Sequence, residues 1–212
     1  MNFEYVDNIY RSRITLLNIL EERGFDVTPY RKFSPDDISC AVPEGGNEKG
    51  SGFQGLSFTV TKKDDPEYTC EVIYSRMSRQ KLESLLLDRK DVETTATEVI
   101  IMILDTVTEI HHTLALKVYR AHNTRISFFS IPILVFDPRH HVFVPKHEIV
   151  PRDDHKRIIE EWNLSSTAQM PMIRYHADPI VRIIGAVPGD ILRITRPSPS
   201  AGTYVSYRVV SP

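Results

Sequence analysis

The chain has 212 residues, of which 41% are hydrophobic and 25% charged, and its formal net charge is −2. These values suit a soluble globular protein and exclude a dedicated basic coat for nucleic acid. Cys40 and Cys70 are too few for a disulfide framework and lie in no metal-ligand spacing, which points to a reducing intracellular compartment.

No run of about 18 apolar residues occurs, so no membrane span is expected. The opening MNFEYVDNIYRSR carries acids where a signal peptide needs an apolar core, so no export signal is expected either. Residues 3–23 read as an amphipathic helix: Val6, Ile9, Tyr10, Ile14, Leu17 and Leu20 recur at three- and four-residue spacing, and Gly24 stands at its stop. Pro29 and the SPDD run mark loop, and residues 42–52, VPEGGNEKGSG, a polar glycine-rich excursion. Residues 56–62 and 69–75 alternate as strands about a turn at Asp64, Asp65 and Pro66. A helix is expected over 79–89, where Leu82, Leu85 and Leu86 share a face. The apolar run 98–104 suits a strand buried on both faces, 108–119 a helix, and 126–136 a strand interrupted by Pro132. That order predicts a small mixed sheet covered by helices.

A second unit is expected from residue 145. Asp153 or Asp154 would cap a short helix with Ile158, Ile159 and Trp162 on its apolar face. Asp178-Pro179 is a strong helix start, an acidic cap with proline at the first helical position, and Gly185 ends the helix. Pro188-Gly189 then turns the chain into two alternating strands, ILRITR and TYVSYRV, joined by PSPSAG. So short a unit seldom stabilises itself by core burial alone, so it is expected to be an interaction module held by a partner or by the N-terminal domain. Within its strands Arg193 and Thr195 face one way, Ile194 and Arg196 the other. Tyr204, Ser206 and Arg208 alternate with Val205, Tyr207 and Val209. Such an arginine–tyrosine sheet suits either nucleic acid or an acidic protein surface, and pattern alone leaves both open.

Catalytic signatures are missing: no GxSxG elbow, Walker loop, GxGxxG or kinase motif occurs. Gly45, Gly46, Gly50 and Gly52 lack the Lys-Ser/Thr of a phosphate loop. His111, His112, His140, His141 and His147, with Asp137 nearby, lack metal-site spacing and read as surface or capping groups. A magnesium-dependent nuclease needs acids and a strand lysine. Asp64, Asp65 and Glu71 supply acids, but Val72, Ile73 and Tyr74 follow Glu71, so the lysine is missing. No catalytic, cofactor or metal-binding residue is assigned.

The C-terminal third carries a more specific pattern. HEIVP at 147–151, MPMIRYHADPIVRIIG, and VPGDILRITRPSPSAGTYVSYRVV, in that order and spacing, closely resemble the assembly domain of RNA polymerase subunit five, the subunit shared by eukaryotic polymerases I, II and III. The archaeal type consists of little beyond this domain, so the long N-terminal part resembles the eukaryotic type or one encoded by a large DNA virus. The resemblance implies an α+β chain of two domains. Residues 1–144 would form a mixed α/β jaw with restriction-endonuclease-like topology and no active site, and residues 145–212 a small α+β assembly domain. It implies a non-catalytic polymerase subunit that docks on the largest subunit and places the jaw near downstream double-stranded DNA. No cofactor, membrane contact or homo-oligomer is implied. The location would be the nucleus for a cellular protein, and host cytoplasm or virion for a viral one.

The docking surface is expected to use Arg174, Asp178, Pro179, Arg182, Arg193, Arg196, Gly202, Tyr204, Tyr207 and Arg208. Of these, Asp178 and Pro179 also cap a helix and Gly202 supplies a turn. Lys117, Arg120 and Arg125 are expected near DNA, where phosphate contacts need no sequence specificity. They surround HTLALK at 112–117, which lacks the proline of the family's Thr-Pro-Ser-Ala loop. A metal-dependent nuclease and a free-standing nucleic-acid adaptor are the alternatives.

Overall fold

The computed structural model describes residues 3–42, 53–75, 98–103 and 106–212. The helix expected over 79–89 and nearly all of the glycine-rich excursion lie outside them. Two compact units result, Met1–Asp137 and Pro138–Pro212. The division falls earlier than the expected 144/145 boundary because the 3-10 turn Pro138–His140 packs against a helix of the second unit.

In the first unit, α1 (Phe3–Glu22) buries Val6, Ile9, Leu16, Leu17, Ile19 and Leu20 on one face. It stops at Gly24, whose φ of +89° lets Phe25 N donate back to Leu20 O and Gly24 N to Glu21 O. The SPDD run, expected as loop, instead opens α2 (Pro35–Ala41). Ser34 Oγ accepts from Asp37 N at 3.2 Å and the Asp37 carboxylate accepts from Ser34 N at 2.8 Å, a reciprocal cap with proline in the first turn. Strands β1 (Phe58–Thr61), β2 (Thr69–Ser75), β3 (Glu98–Ile103) and β4 (Arg125–Ser130) form one sheet in that order. β1 and β2 are antiparallel, the other pairs parallel. β3 and β4 are buried throughout: β3 is apolar after Glu98, whereas β4 buries Arg125, Ser127 and Ser130 along with Ile126, Phe128 and Phe129. Between them in the chain, α3 (Glu109–His122) sets Leu114, Ala115 and Val118 against Val99, Ile101 and Phe128.

The strand expected over 126–136 ends at Ser130. Pro132 has no N–H for the ladder and its fixed φ suits a first helical turn, so α4 (Ile131–Leu134) begins there and packs on α1.

The second unit holds β5 (Lys146–Ile149), α5 (His155–Glu161), β6 (Met172–Arg174), α6 (Pro179–Ile184), β7 (Ile191–Ser198) and β8 (Gly202–Ser211). The strand order is β5-β7-β8-β6, with β6 parallel to β8 and the rest antiparallel. The edge strands β5 and β6 escaped the sequence reading because each is too short to show alternation. α6 starts as expected: Asp178 accepts from Ile180 N at 2.8 Å and Val181 N at 3.3 Å, and Gly185 closes it at φ +89°. α5 differs. Asp154 already has helical φ and ψ from the 3-10 turn Arg152–Asp154, so its carboxylate makes no cap bond and pairs with Arg157 instead. One face of the sheet buries Val150, Ile158, Met170, Ile191 and Val209 together; Leu192, Ile194 and Val210 point the other way and are also buried. Among the described residues no helix is long and apolar enough to cross a membrane.

Candidate functional site

Register decides what the β7–β8 ribbon presents. Arg196 stands opposite Tyr204, and Arg193 opposite Tyr207, three residues along and therefore on the other face. The Arg196 guanidinium lies 4.7 Å above the Tyr204 ring, and both side chains are exposed. A guanidinium over the face of an exposed ring contributes about 0.5–1 kcal/mol and pre-forms a broad contact plate. Arg208 shares this face, and its guanidinium Nη1 donates to Met172 O at 3.2 Å while the side chain stays exposed. Gly202 opens β8 at φ +68° with open space beside it, so backbone conformation alone selects glycine there.

The opposite face is ion-paired. Arg193 donates from Nε (3.1 Å) and Nη2 (2.7 Å) to Glu148 Oε2, and Lys146 reaches Glu148 Oε1 at 2.6 Å. The bonds from Lys146, then Arg193, hold the Glu148 carboxyl below its usual range. Tyr207 is half-buried and meets Trp162 edge-on at 5.8 Å. Arg174 is exposed at the end of β6. Asp178 and Pro179 are half-buried at the α6 cap. Arg182 departs from the docking expectation: it is 6% exposed, and burial pulls its guanidinium down to about 10 against the opposing pull of Asp178. It sits on the inward side of a helix otherwise filled by isoleucine and valine. The ten expected docking residues therefore do not form one patch. Arg196, Tyr204 and Arg208 do share an exposed face.

In the first unit, Lys117 and Arg120 are exposed and lie three residues apart on α3, Arg120 in the last turn, where the backbone dipole favours cations. Arg125 does not join them. It is 3% exposed and paired with Glu98, its neighbour in register on β3. Its strand is buried on both faces and its guanidinium is held by the buried Glu98 carboxylate, so Arg125 is corrected to a core ion pair.

Glu98 is fully buried and also takes both nitrogens of Arg23, at 3.0 and 2.5 Å. Burial pushes its carboxyl up, but the guanidiniums of Arg125 and Arg23 outweigh that and hold it at about 2. Cys70 lies beside Glu98 in register, and burial, reinforced by Glu98, raises its thiol well above the usual value. A third inward cation, Arg13, donates to Leu56 O at 2.7 Å, with its guanidinium over the rings of Phe33 (4.7 Å) and Phe58 (4.4 Å).

These groups are structural in chemistry: the carboxylate is saturated by two cations. Asp64 and Asp65 lie exposed between β1 and β2, where Asp65 accepts from Glu67 N, while Glu71 belongs to β2. Among the described residues no three His, Cys, Asp or Glu group to hold a metal. His111 caps α3, its Nδ1 accepting from Thr108 N at 3.1 Å, and burial lowers its pKa. His147 Nδ1 bonds Pro145 O at 2.7 Å. The sequence reading missed Arg13, Arg23 and Glu98; only Glu98, a charge heading an apolar run, left a visible signal.

Residues 136–210, which take in all but the last two residues of the second unit, match the family described as RNA polymerase Rpb5, C-terminal domain. DNA-directed RNA polymerase subunit Rpo5 of Methanocaldococcus jannaschii is 44% identical over 70 residues, covering 33% of this chain and 87% of that one. Subunit Rpo5 of Saccharolobus shibatae is 47% identical over 74 residues, 35% of this chain and 86% of its own. Similarity runs almost end to end with the Dictyostelium discoideum subunit rpabc1 of DNA-directed RNA polymerases I, II and III, 23% identical over 212 residues, 97% of this chain and 98% of that one.

Proposed function

The chain belongs to the Rpb5 family of DNA-directed RNA polymerase subunits, and from that premise we propose that it is a non-catalytic subunit which docks through its C-terminal unit and steadies downstream DNA with its N-terminal unit. The docking partner is the largest polymerase subunit. The observation that carries this reading is the Arg196–Tyr204 stack, held in register and exposed on the unit shared with the archaeal subunits. Arginine and tyrosine are the usual anchors of protein interfaces, and a pre-stacked pair loses little side-chain freedom on binding. Arg208 extends the same plate.

The N-terminal unit reaches the duplex as a jaw, with Lys117 and Arg120 making phosphate contacts that need no base readout. A net charge of −2 over the whole chain keeps such contact local. Nucleotide addition belongs to the largest subunits; Glu98, a fully buried carboxylate, is already neutralised by two arginines. As a component shared by polymerases I, II and III, the chain acts in the nucleus.

The test is mild affinity purification of the tagged chain from its native source, with mass spectrometry of what stays bound. Two very large polymerase subunits should come away with it in near-equal amounts. The double variant Arg196→Glu/Tyr204→Ala should come away alone while its circular dichroism stays native. Wild-type chain recovered alone at low salt would overturn the proposal.

A further inference from the structure

A cleft of about 210 Å³ opens in the second unit, lined by residues of the sheet face that points away from Arg196 and Tyr204. One wall is a row in register across three strands: Glu148 on β5, Arg193 on β7 and Tyr207 on β8. The other is α5 with its lead-in turn, which supplies Asp154, Arg157 and Ile158; Ile149, Val150 and Pro151 join the two walls. Trp162, the only tryptophan of the chain, stacks edge-on to Tyr207 and remains 47% exposed. The space is below the roughly 300 Å³ at which drug-sized pockets begin, and suits a single large side chain.

Charge at the mouth is asymmetric. Glu148 is shared by Lys146 and Arg193, and Asp154 is engaged by Arg157 at 3.3 Å. Three cations thus surround two carboxylates, and both carboxylates are occupied. Arg193 uses its Nε and Nη2 edge for Glu148, which leaves Nη1 for another acceptor. Arg157 holds Asp154 through one nitrogen and its side chain is 73% exposed. An incoming carboxylate therefore finds guanidinium donors on both walls, whereas an incoming ammonium finds both Glu148 oxygens engaged and only the second oxygen of Asp154 open, with one more cation than carboxylate around it.

We propose that this cleft is a second docking site, for a short acidic peptide segment of a partner protein that seats one large apolar side chain beside Val150 and Ile158 and sets a carboxylate against Arg157 and Arg193. The site stands apart from the Arg196 plate and does not rest on the polymerase reading. It leaves the subunit able to hold a second protein on the sheet face that its main docking plate does not use.

Trp162 makes the site directly observable, since its emission can be excited selectively over tyrosine. The full-length chain is titrated with three blocked peptides: Asp-Asp-Leu-Phe-Asp, its lysine counterpart Lys-Lys-Leu-Phe-Lys, and Asp-Asp-Ser-Ser-Asp. The first should shift Trp162 emission saturably, and the other two should bind at least about tenfold more weakly. Arg157→Glu, at an exposed side chain, should reverse the acidic-over-basic preference, and Arg157→Gln should abolish it. Both variants should keep native circular dichroism and still retain the polymerase subunits, which separates this site from the docking plate. Equal binding of the acidic and basic peptides, a preference unchanged by both Arg157 variants, or occupation of the cleft by a second copy, seen as a doubled mass in sedimentation, would overturn the proposal.

Discussion

Replacing Glu98 by glutamine keeps the shape of the side chain and removes the charge that two guanidiniums share. Glu98 is fully buried, and the side chains of Arg125 and Arg23 are 4% and 15% exposed, so water can do little to compensate. Breaking such a pair by deleting one partner costs about 3–5 kcal/mol, because the surviving charges remain buried. Proton linkage gives a similar size. A carboxyl that falls from 4.5 to about 2 on folding contributes about 3 kcal/mol. Because the folded value is the lower one, that contribution is complete above about pH 4.5 and is lost as pH falls towards 2. Cys70, buried beside Glu98 in register, reports the opening of this region. In a Cys40→Ser background, which silences the exposed thiol, Cys70 can be labelled with a dithiodipyridine reagent that still reacts in acid. Glu98→Gln should label about a hundredfold faster than wild type at neutral pH, and the difference should shrink steadily below pH 4.5. Equal labelling rates at neutral pH, or a gap that persists unchanged at pH 2.5, would refute the assignment of this carboxylate as the charged centre of the fold. Replacing all three residues together with Met, Leu and Met should lose far less than the single change, since no charge is left stranded.

Other consequences follow from the same geometry. Asp178→Ala removes the acceptor for Ile180 N and Val181 N and should lower stability of the second unit by about 1 kcal/mol, read as a shift in its thermal transition, with Asp178→Asn recovering most of it. Arg13→Met strips the bond to Leu56 O and the stacking on Phe33 and Phe58, for a loss of about 2 kcal/mol in denaturant unfolding; Arg13→Lys should restore only part, because an ammonium cannot lie flat on a ring. Lys117→Glu/Arg120→Glu should weaken retention of downstream DNA by the assembled polymerase and flatten its salt dependence without changing subunit composition, measured by footprint stability against added salt.

How legible the sequence was depended on how local each signal is. α1, the Asp178 cap and the β7–β8 ribbon were readable because cap, period and stop all lie within a few neighbouring residues. The alternation within each strand was readable, but the pairing of Arg196 with Tyr204 needed the register, which only the structure supplies. Features set by distant parts of the chain were not readable. Arg125 looks like any surface cation until Glu98 is found beside it in register. Arg182 reads as the polar side of a short helix, yet it is buried. β5 and β6 exist only because β7 and β8 offer them edges. SPDD was misread because a serine–aspartate cap and a loop use the same residue types, and only the reciprocal bonds tell them apart.

The strand order β5-β7-β8-β6 also sets a timetable. β5 has no sheet neighbour until β7 has been made, and β6 none until β8 has been made. During synthesis the first half of the second unit must therefore wait, its apolar faces uncovered, until the terminal hairpin closes and offers both edges at once. The hairpin that completes the fold is also the one that carries Arg196 and Tyr204. A chain that misfolds before that hairpin closes lacks the Arg196–Tyr204 pair, so on the proposed reading the order of the strands lets the docking face appear only once this unit has folded.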